Sequence, residues 1–324
     1  MTTTPFPLTV LPLRFDCRAT QPLYLGGERA GSNLRGALTN VMSRAVCYGE
    51  RTDPQHVKTC PVCWLLAANE HPGTERRGYS LVLPESAYRQ LQPGDKFSFG
   101  VTLFGTEQRF VPYFLIAIPE TGRQGVGPGR GQFSLESAVA YNPLDGQEEI
   151  VLAKDSLLVN MPKRAITSAQ IATACQALQT RLAKQGNHWR IRLHFLTPMR
   201  LIESQQLLKT PDFGTIFARL LHRVDQLAAQ YNAATPRGAE AAQRLQVLAN
   251  QVRLIAADVE WVDVFSGSRH RPSASPIGGF FGSAEYLAPA EVWHELLEWL
   301  VWGQLTQVGK SVVKGDGLYR IESE

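Results

Sequence analysis

Between residues 189 and 195 the chain alternates strictly. Trp189, Ile191, Leu193 and Phe195 are apolar, and Arg190, Arg192 and His194 between them are basic. A period of two is that of a strand with one buried and one basic face. The pattern then changes to helical spacing. Phe213, Ile216, Phe217, Leu220, Leu221, Val224 and Leu227 share one face of a long helix expected after Thr210-Pro211, and a second helix is expected from Thr235-Pro236 to about Ile255. A strand at Val259–Phe265, a glycine turn at Gly278–Gly282, a helix at Val292–Trp302 and a last strand at Leu318–Ile321 complete this half. The first half has the same grammar. Its strands are predicted at 8–18, 79–83, 97–104 and 131–141, and its helices at 32–46, around 111–118 and at 168 to about 184, with a hairpin or linker at 143–166. Strand–helix–strand order recurs while the sequences do not. The expectation is an α+β protein with two ferredoxin-like (RRM-like) domains in tandem, residues 1–186 with a Cys-rich insertion and residues 187–324.

The 324 residues suffice for two domains with separate cores. Hydrophobic content of 44% and charged content of 19% are ordinary for a globular chain. A net charge of +4 permits a nucleic-acid partner without requiring one, since basic residues must cluster to leave a footprint. No segment resembles a signal peptide, and no run of about 18 apolar residues could span a bilayer. Five cysteines, three of them bunched, favour a reduced cytoplasmic setting over a disulfide framework.

Candidate sites fall at three places. The first is Gln307 to Ile321, where Gly309, Gly315 and Gly317 permit positive φ and close approach, and Lys310 and Lys314 add charge. A glycine-and-lysine loop feeding a strand has the outline of a phosphate-backbone clamp. It is not a Walker loop, because the spacing differs and no helix follows. Solvated lysines on a tight turn are the plainer alternative. The second is Arg35, placed in the first turn of the 32–46 helix, where a cation is disfavoured unless an anion binds at the same end. The third is Cys47, His56, Cys60 and Cys63, a C-x8-H-x3-C-x2-C array with the ligand types and knuckle of a structural zinc site. Small buried cysteines ahead of Trp64-Leu65-Leu66 are the alternative there. Cys17 and Cys175 are assigned to the core.

The G-x5-G-x-G spacing of Gly309, Gly315 and Gly317, preceded by Gly278-Gly279-Phe280-Phe281-Gly282, resembles the signature of the RAMP superfamily of CRISPR-associated proteins. Within it the chain is most similar to Cas6, the endoribonuclease that processes CRISPR precursor RNA. Gly31–Leu38 is similar to the family's first-helix entry, Phe195–Leu201 to the start of its second domain, and Gly125–Phe133 to a glycine-rich segment of its first domain. The resemblance implies metal-independent cleavage within the repeat by 2′-hydroxyl attack, with no catalytic cofactor. It implies CRISPR repeat RNA as partner, other Cas effector subunits as further candidates, and no direct DNA or membrane partner. It also implies RNA contacts from Arg35, Arg130, Arg269, Gly309, Lys310, Lys314, Gly315 and Gly317.

The family usually carries a catalytic histidine near the end of the first helix, and this helix has none. Arg44 and Tyr48 occupy that neighbourhood, and His270, between Arg269 and Arg271, is the best-placed histidine of the second half; these three are the catalytic candidates. Gln307 and Asp316 also depart from the family loop. Two alternatives stay open: a non-catalytic RAMP subunit that binds guide RNA, and a zinc-bearing RNA-binding protein outside CRISPR.

Overall fold

The computed structural model describes residues 5–50, 53–66, 77–156, 158–203, 205–268, 271–276 and 278–322, with the backbone alone for 265–268 and 271–276. His270 and Arg269 lie outside the described residues. The chain divides into two compact units, one made of Leu11–Asn142 and Gly146–Ala165, the other of Met1–Val10, Pro143–Asp145 and Ile166–Glu324.

In the N-terminal unit β1 (Val10–Ala19) leads to α1 (Ala30–Val46) and a short α2 (Pro54–Thr59). Then follow β2 (Tyr79–Val82), β3 (Lys96–Phe104), α3 (Val111–Gln124), β4 (Phe133–Tyr141) and β5 (Glu148–Leu152). The sheet order is β2-β3-β1-β4-β5. Its first four strands have the split β-α-β order of a ferredoxin-like unit, with β5 added at one edge. Helix α1 buries Leu34, Leu38, Val41 and Met42, the stripe expected from its helical spacing. Helix α3 runs on to Gln124 through Pro119, beyond the expected 118.

The C-terminal unit runs α4 (Ser168–Leu182), β6 (His188–Met199), a small hairpin of β7 (Leu201–Glu203) and β8 (Gln206–Leu208), α5 (Phe213–Asn232) and α6 (Ala239–Ala249). It continues through β9 (Arg253–Val262), the hairpin β10 (Phe265–Ser268) and β11 (Arg271–Pro276), β12 (Gly279–Pro289), α7 (Ala290–Thr306) and β13 (Tyr319–Glu322). The order β13-β6-β12-β9 is again ferredoxin-like, with β12 antiparallel to both neighbours. Along β6, Trp189, Ile191, Leu193 and Phe195 are all buried, as the alternation requires, and the basic residues take the other face. Helix α7 is buried nearly all round, with Trp293 and Trp302 at 0% exposure, because α4, α5, α6 and the sheet surround it. Each such side chain contributes on the order of 1.5–3 kcal/mol of burial.

Three expectations need correction. The helix expected from Pro236 to Ile255 ends at Ala249, and residues 253–262 form β9. The ladder from Gly279↔Val262 to Leu287↔Arg253 overrides the helical propensity of Leu254 and the alanines beside it. The Gly278–Gly282 segment is the entry of β12 rather than a turn. The long helix begins at Phe213, since the Asp212 carboxylate caps it by accepting from the Thr215 amide at 2.8 Å. By its packing on α7, α4 joins the C-terminal unit. Among the described residues no helix is long and apolar enough to cross a membrane.

Candidate functional site

The glycine-rich loop joins α7 to β13. It leaves the helix at Gln307 (φ 58°), passes Gly309 (φ 97°) and Ser311 (φ 64°), makes a short 3-10 turn at Val312–Lys314, and returns through Gly315 (φ 92°) and Gly317 (φ 78°). Positive φ was the expectation for all three glycines. Gly317 cannot be replaced without damage, since a Cβ there would lie 1.8 Å from the Val308 carbonyl oxygen. The loop is pinned at both ends: Val308 N donates to Gly317 O at 2.9 Å, Gly317 N to Pro198 O at 3.0 Å, and Lys310 N to Arg200 O at 3.0 Å. With these amides committed, the loop meets an anion chiefly through side chains. Lys310 is exposed and Lys314 half-buried. Arg200, which the sequence reading passed over, donates to Gly278 O at 3.1 Å and so ties the loop's anchor to the entry of β12.

Asp316 sits inside this loop at 4% exposure, and its Oδ2 has no hydrogen-bond partner among the described residues. Burial pushes its carboxyl up to about 8, against the opposing pull of Lys314. Asp316 is therefore largely a neutral acid at pH 7, which suits its burial.

The outer face of the C-terminal sheet carries a groove of about 350 Å³, lined by Gln185, His188, Arg190, Arg192, Glu285 and Glu322 among others. It is ionic rather than aromatic. Arg192 bonds Glu285, and Arg190 reaches the same carboxylate at 3.9 Å. The bond from Arg192 holds Glu285 below the usual carboxylate range. His194 meets Glu322 at 3.2 Å.

In the N-terminal unit the structure brings Cys47, His56, Cys60 and Cys63 together, their ligand atoms within 4.8 Å of one another. Cys47 follows α1 directly, α2 supplies His56, and Cys60 and Cys63 flank and enter a π-helical turn over Pro61–Leu66. Asp53 caps α2 by accepting from the Gln55 and His56 amides, which fixes the start of the ligand-bearing helix. The cluster could hold a metal ion. Burial, with the neighbouring thiol of Cys47, pushes Cys63 up to about 12, so a cation would have to displace its proton. Cys17 and Cys175 are buried apart from this cluster, as expected.

The remaining candidates stand separately. Arg44 is exposed on the last turn of α1. Tyr48 is 83% exposed, and its hydroxyl donates to Ala45 O at 2.6 Å. Arg35 lies in the second turn, because α1 starts at Ala30 and not at Ser32. Its guanidinium donates to Tyr79 Oη at 3.0 Å and to Leu66 O at 2.8 Å, so it holds β2 and the π-helical turn against α1. The helix-end anion argument thus loses its geometric basis. Arg130 lies in an exposed turn at φ 50° and donates to Gln124 O at 3.3 Å.

Residues 193–319, the span from β6 through the glycine-rich loop, match the family model of the CRISPR-associated endoribonuclease Cas6. Residues 7–164 match a separate model described as an N-terminal domain. Among solved structures, Cas6 of Thermus thermophilus aligns with TM-score 0.56 and 14% identity over 97% of this chain and 99% of that one. The same Cas6 in a product complex aligns at 0.56 and 17%, with the same coverage. A chain of a partial Cas6-RT-Cas1–Cas2 complex aligns at 0.60 and 17%, over 98% of this chain and 46% of that one. At these identities the likeness is one of fold, and it extends beyond residues 193–319 to nearly the whole chain. No curated protein matches it.

Proposed function

We propose that this protein is a CRISPR-associated endoribonuclease that binds the repeat of a precursor transcript and cuts it once. The observation that carries the reading is the coincidence of the Cas6 match with a glycine-rich loop pinned between α7 and β13 and presenting Lys310 and Lys314. Cleavage proceeds by attack of the 2′-hydroxyl next to the scissile phosphate and needs no metal, leaving a 2′,3′-cyclic phosphate and a 5′-hydroxyl. Such a reaction needs a proton acceptor, a proton donor and cationic support for the phosphorane. Arg44 supplies charge at the end of α1. Tyr48 supplies a hydroxyl, which must exchange its bond to Ala45 O for one to RNA. A guanidinium is no base, so the general base falls to Tyr48 or His270.

The second reading, a non-catalytic RAMP subunit that holds guide RNA, draws on His56. It is the one histidine near the end of α1 among the described residues, and its ring lies in the cysteine cluster. Labelled repeat RNA incubated with the purified protein in EDTA separates the two. A single cut supports the endoribonuclease; tight binding with intact RNA supports the guide-binding subunit.

The cysteine cluster reads as a structural zinc site. Zinc held by sulfur at about 2.3 Å and by nitrogen at about 2.0–2.1 Å in a tetrahedron spaces its ligands by roughly 3.5–3.8 Å. Cys47 Sγ lies 3.6 Å from His56 Nε2 and 3.7 Å from Cys63 Sγ, and Cys63 Sγ lies 3.5 Å from His56 Nε2. The metal would staple the end of α1, where Arg44 and Tyr48 sit, to α2 and the turn after it.

A further inference from the structure

At one end of the C-terminal sheet stands an aromatic side chain that the Cas6 reading leaves without a task. Trp261, on the edge strand β9, is level with Phe280 of β12, which is level with Met199 of β6. Phe280 and Met199 are both at 0% exposure, but Trp261 is only half-buried, since among the described residues no strand pairs with the far side of β9. Its indole N–H donates to Asp263 Oδ1 at 2.8 Å, and the Lys209 ammonium lies over the ring, 5.9 Å from its centroid. The ring is thus held in place on the protein's surface with a cation beside it.

The surrounding backbone ties this ring to the loop. A Cβ on Gly278 would lie 1.9 Å from the carbonyl oxygen of Val262, the residue after Trp261, and one on Gly279 would lie 2.5 Å from Met199. The Gly-Gly step therefore lets β12 start wedged between the end of β9 and the Met199–Arg200 peptide. The next carbonyl along the chain, Arg200 O, accepts the Lys310 amide, and the Arg200 side chain donates back to Gly278 O. Two strand spacings, about 10 Å, separate Trp261 from Met199.

We propose that Trp261 is a stacking platform for an unpaired RNA base, with Lys209 beside it, on a strand whose phosphates engage Lys310. The inference rests on the RNA-binding reading above and specifies how the C-terminal unit recognises single-stranded rather than duplex RNA. A base presents a π-face to the indole whatever its identity, so the contact is tolerant of sequence, and, making no phosphate contact of its own, it leaves the salt slope to the lysines. A ring already fixed by Asp263 loses little freedom when a base stacks on it.

The test is equilibrium binding of fluorescein-labelled single-stranded repeat RNA, followed by anisotropy at several salt concentrations. Wild type is compared with Trp261→Ala, Trp261→Phe and Lys310→Ala. Trp261→Ala is expected to weaken binding by about tenfold with an unchanged salt slope. Trp261→Phe is expected to recover most of that loss, and Lys310→Ala to flatten the slope instead. Thermal melts of all variants check folding. Binding by Trp261→Ala within twofold of wild type overturns the platform, as does a Trp261→Phe defect equal to that of Trp261→Ala. Failure of the wild-type protein to bind the RNA at all overturns the RNA reading itself.

Discussion

The buried carboxyl of Asp316 should set the alkaline limit of the C-terminal unit. In the unfolded chain it titrates near 3.8, and in the fold it is pushed up to about 8. Between those values the native state holds a proton that the unfolded state has released, so stability falls as pH rises through the window and levels off above it. The slope limit is about 1.4 kcal/mol per pH unit, which puts a ceiling on the order of 5 kcal/mol on the whole effect. Loop relaxation that lets water reach Oδ2 would reduce this, and about 2–3 kcal/mol is the working figure. Asp316→Asn keeps the shape and removes the ionisation. Thermal unfolding followed between pH 4 and 9 should show the smallest difference between the two proteins at pH 4, with the gap widening up to about pH 8. By pH 9 the variant should be ahead by roughly 5–10 °C, given about 2–4 °C per kcal/mol for units of this size. Glu107 and Glu298 are also raised by burial, but they are common to both proteins and cancel in the comparison. Parallel loss of stability in wild type and variant would refute the assignment.

Replacing Lys310 and Lys314 together by Ala should weaken RNA binding and lower the slope of log K against log salt by about 1.4, the value for two lost contacts to single-stranded phosphates; filter binding at several salt concentrations measures it. The purified protein should contain about one equivalent of zinc by elemental analysis. Cys60→Ser should lose the metal and lower the melting temperature of the N-terminal unit. Arg44→Ala and Tyr48→Phe should each slow single-turnover cleavage by about 10²–10³-fold with binding retained. Cleavage abolished by His270→Ala alone would move the general base to the second half of the chain.

Local patterns that coincide with burial were legible in the sequence. The alternation from Trp189 to Phe195 and the stripe from Leu34 to Met42 each predicted the face that the structure buries. Both ferredoxin-like units follow from the order of such elements. Residues 253–255 were misread because Arg253 and Leu254 favour a helix, and only the pairing with β12, distant in sequence, makes them a strand. Arg35 misled for a related reason. Its position near a helix start suggested an anion site, while its actual partners, Tyr79 and Leu66, are brought to it by the fold. The cysteine array was readable from its spacing, since four soft ligands over so short a span have few ways to lie apart. Asp316 showed in the sequence as a departure, but its burial did not, because a carboxylate between glycines reads as solvated. Trp261 gave no signal at all: its half-exposure depends on β9 being an edge strand.

The most direct test of the catalytic account uses repeat RNA with a single 2′-deoxy nucleotide at the 5′ side of the cut site. Attack by the 2′-hydroxyl predicts that this RNA binds as tightly as the all-ribose substrate and stays intact, while the all-ribose RNA yields a cyclic phosphate and a 5′-hydroxyl. Cleavage of the deoxy substrate at the same position would contradict the mechanism, and intact all-ribose RNA in a stable complex would contradict the enzyme.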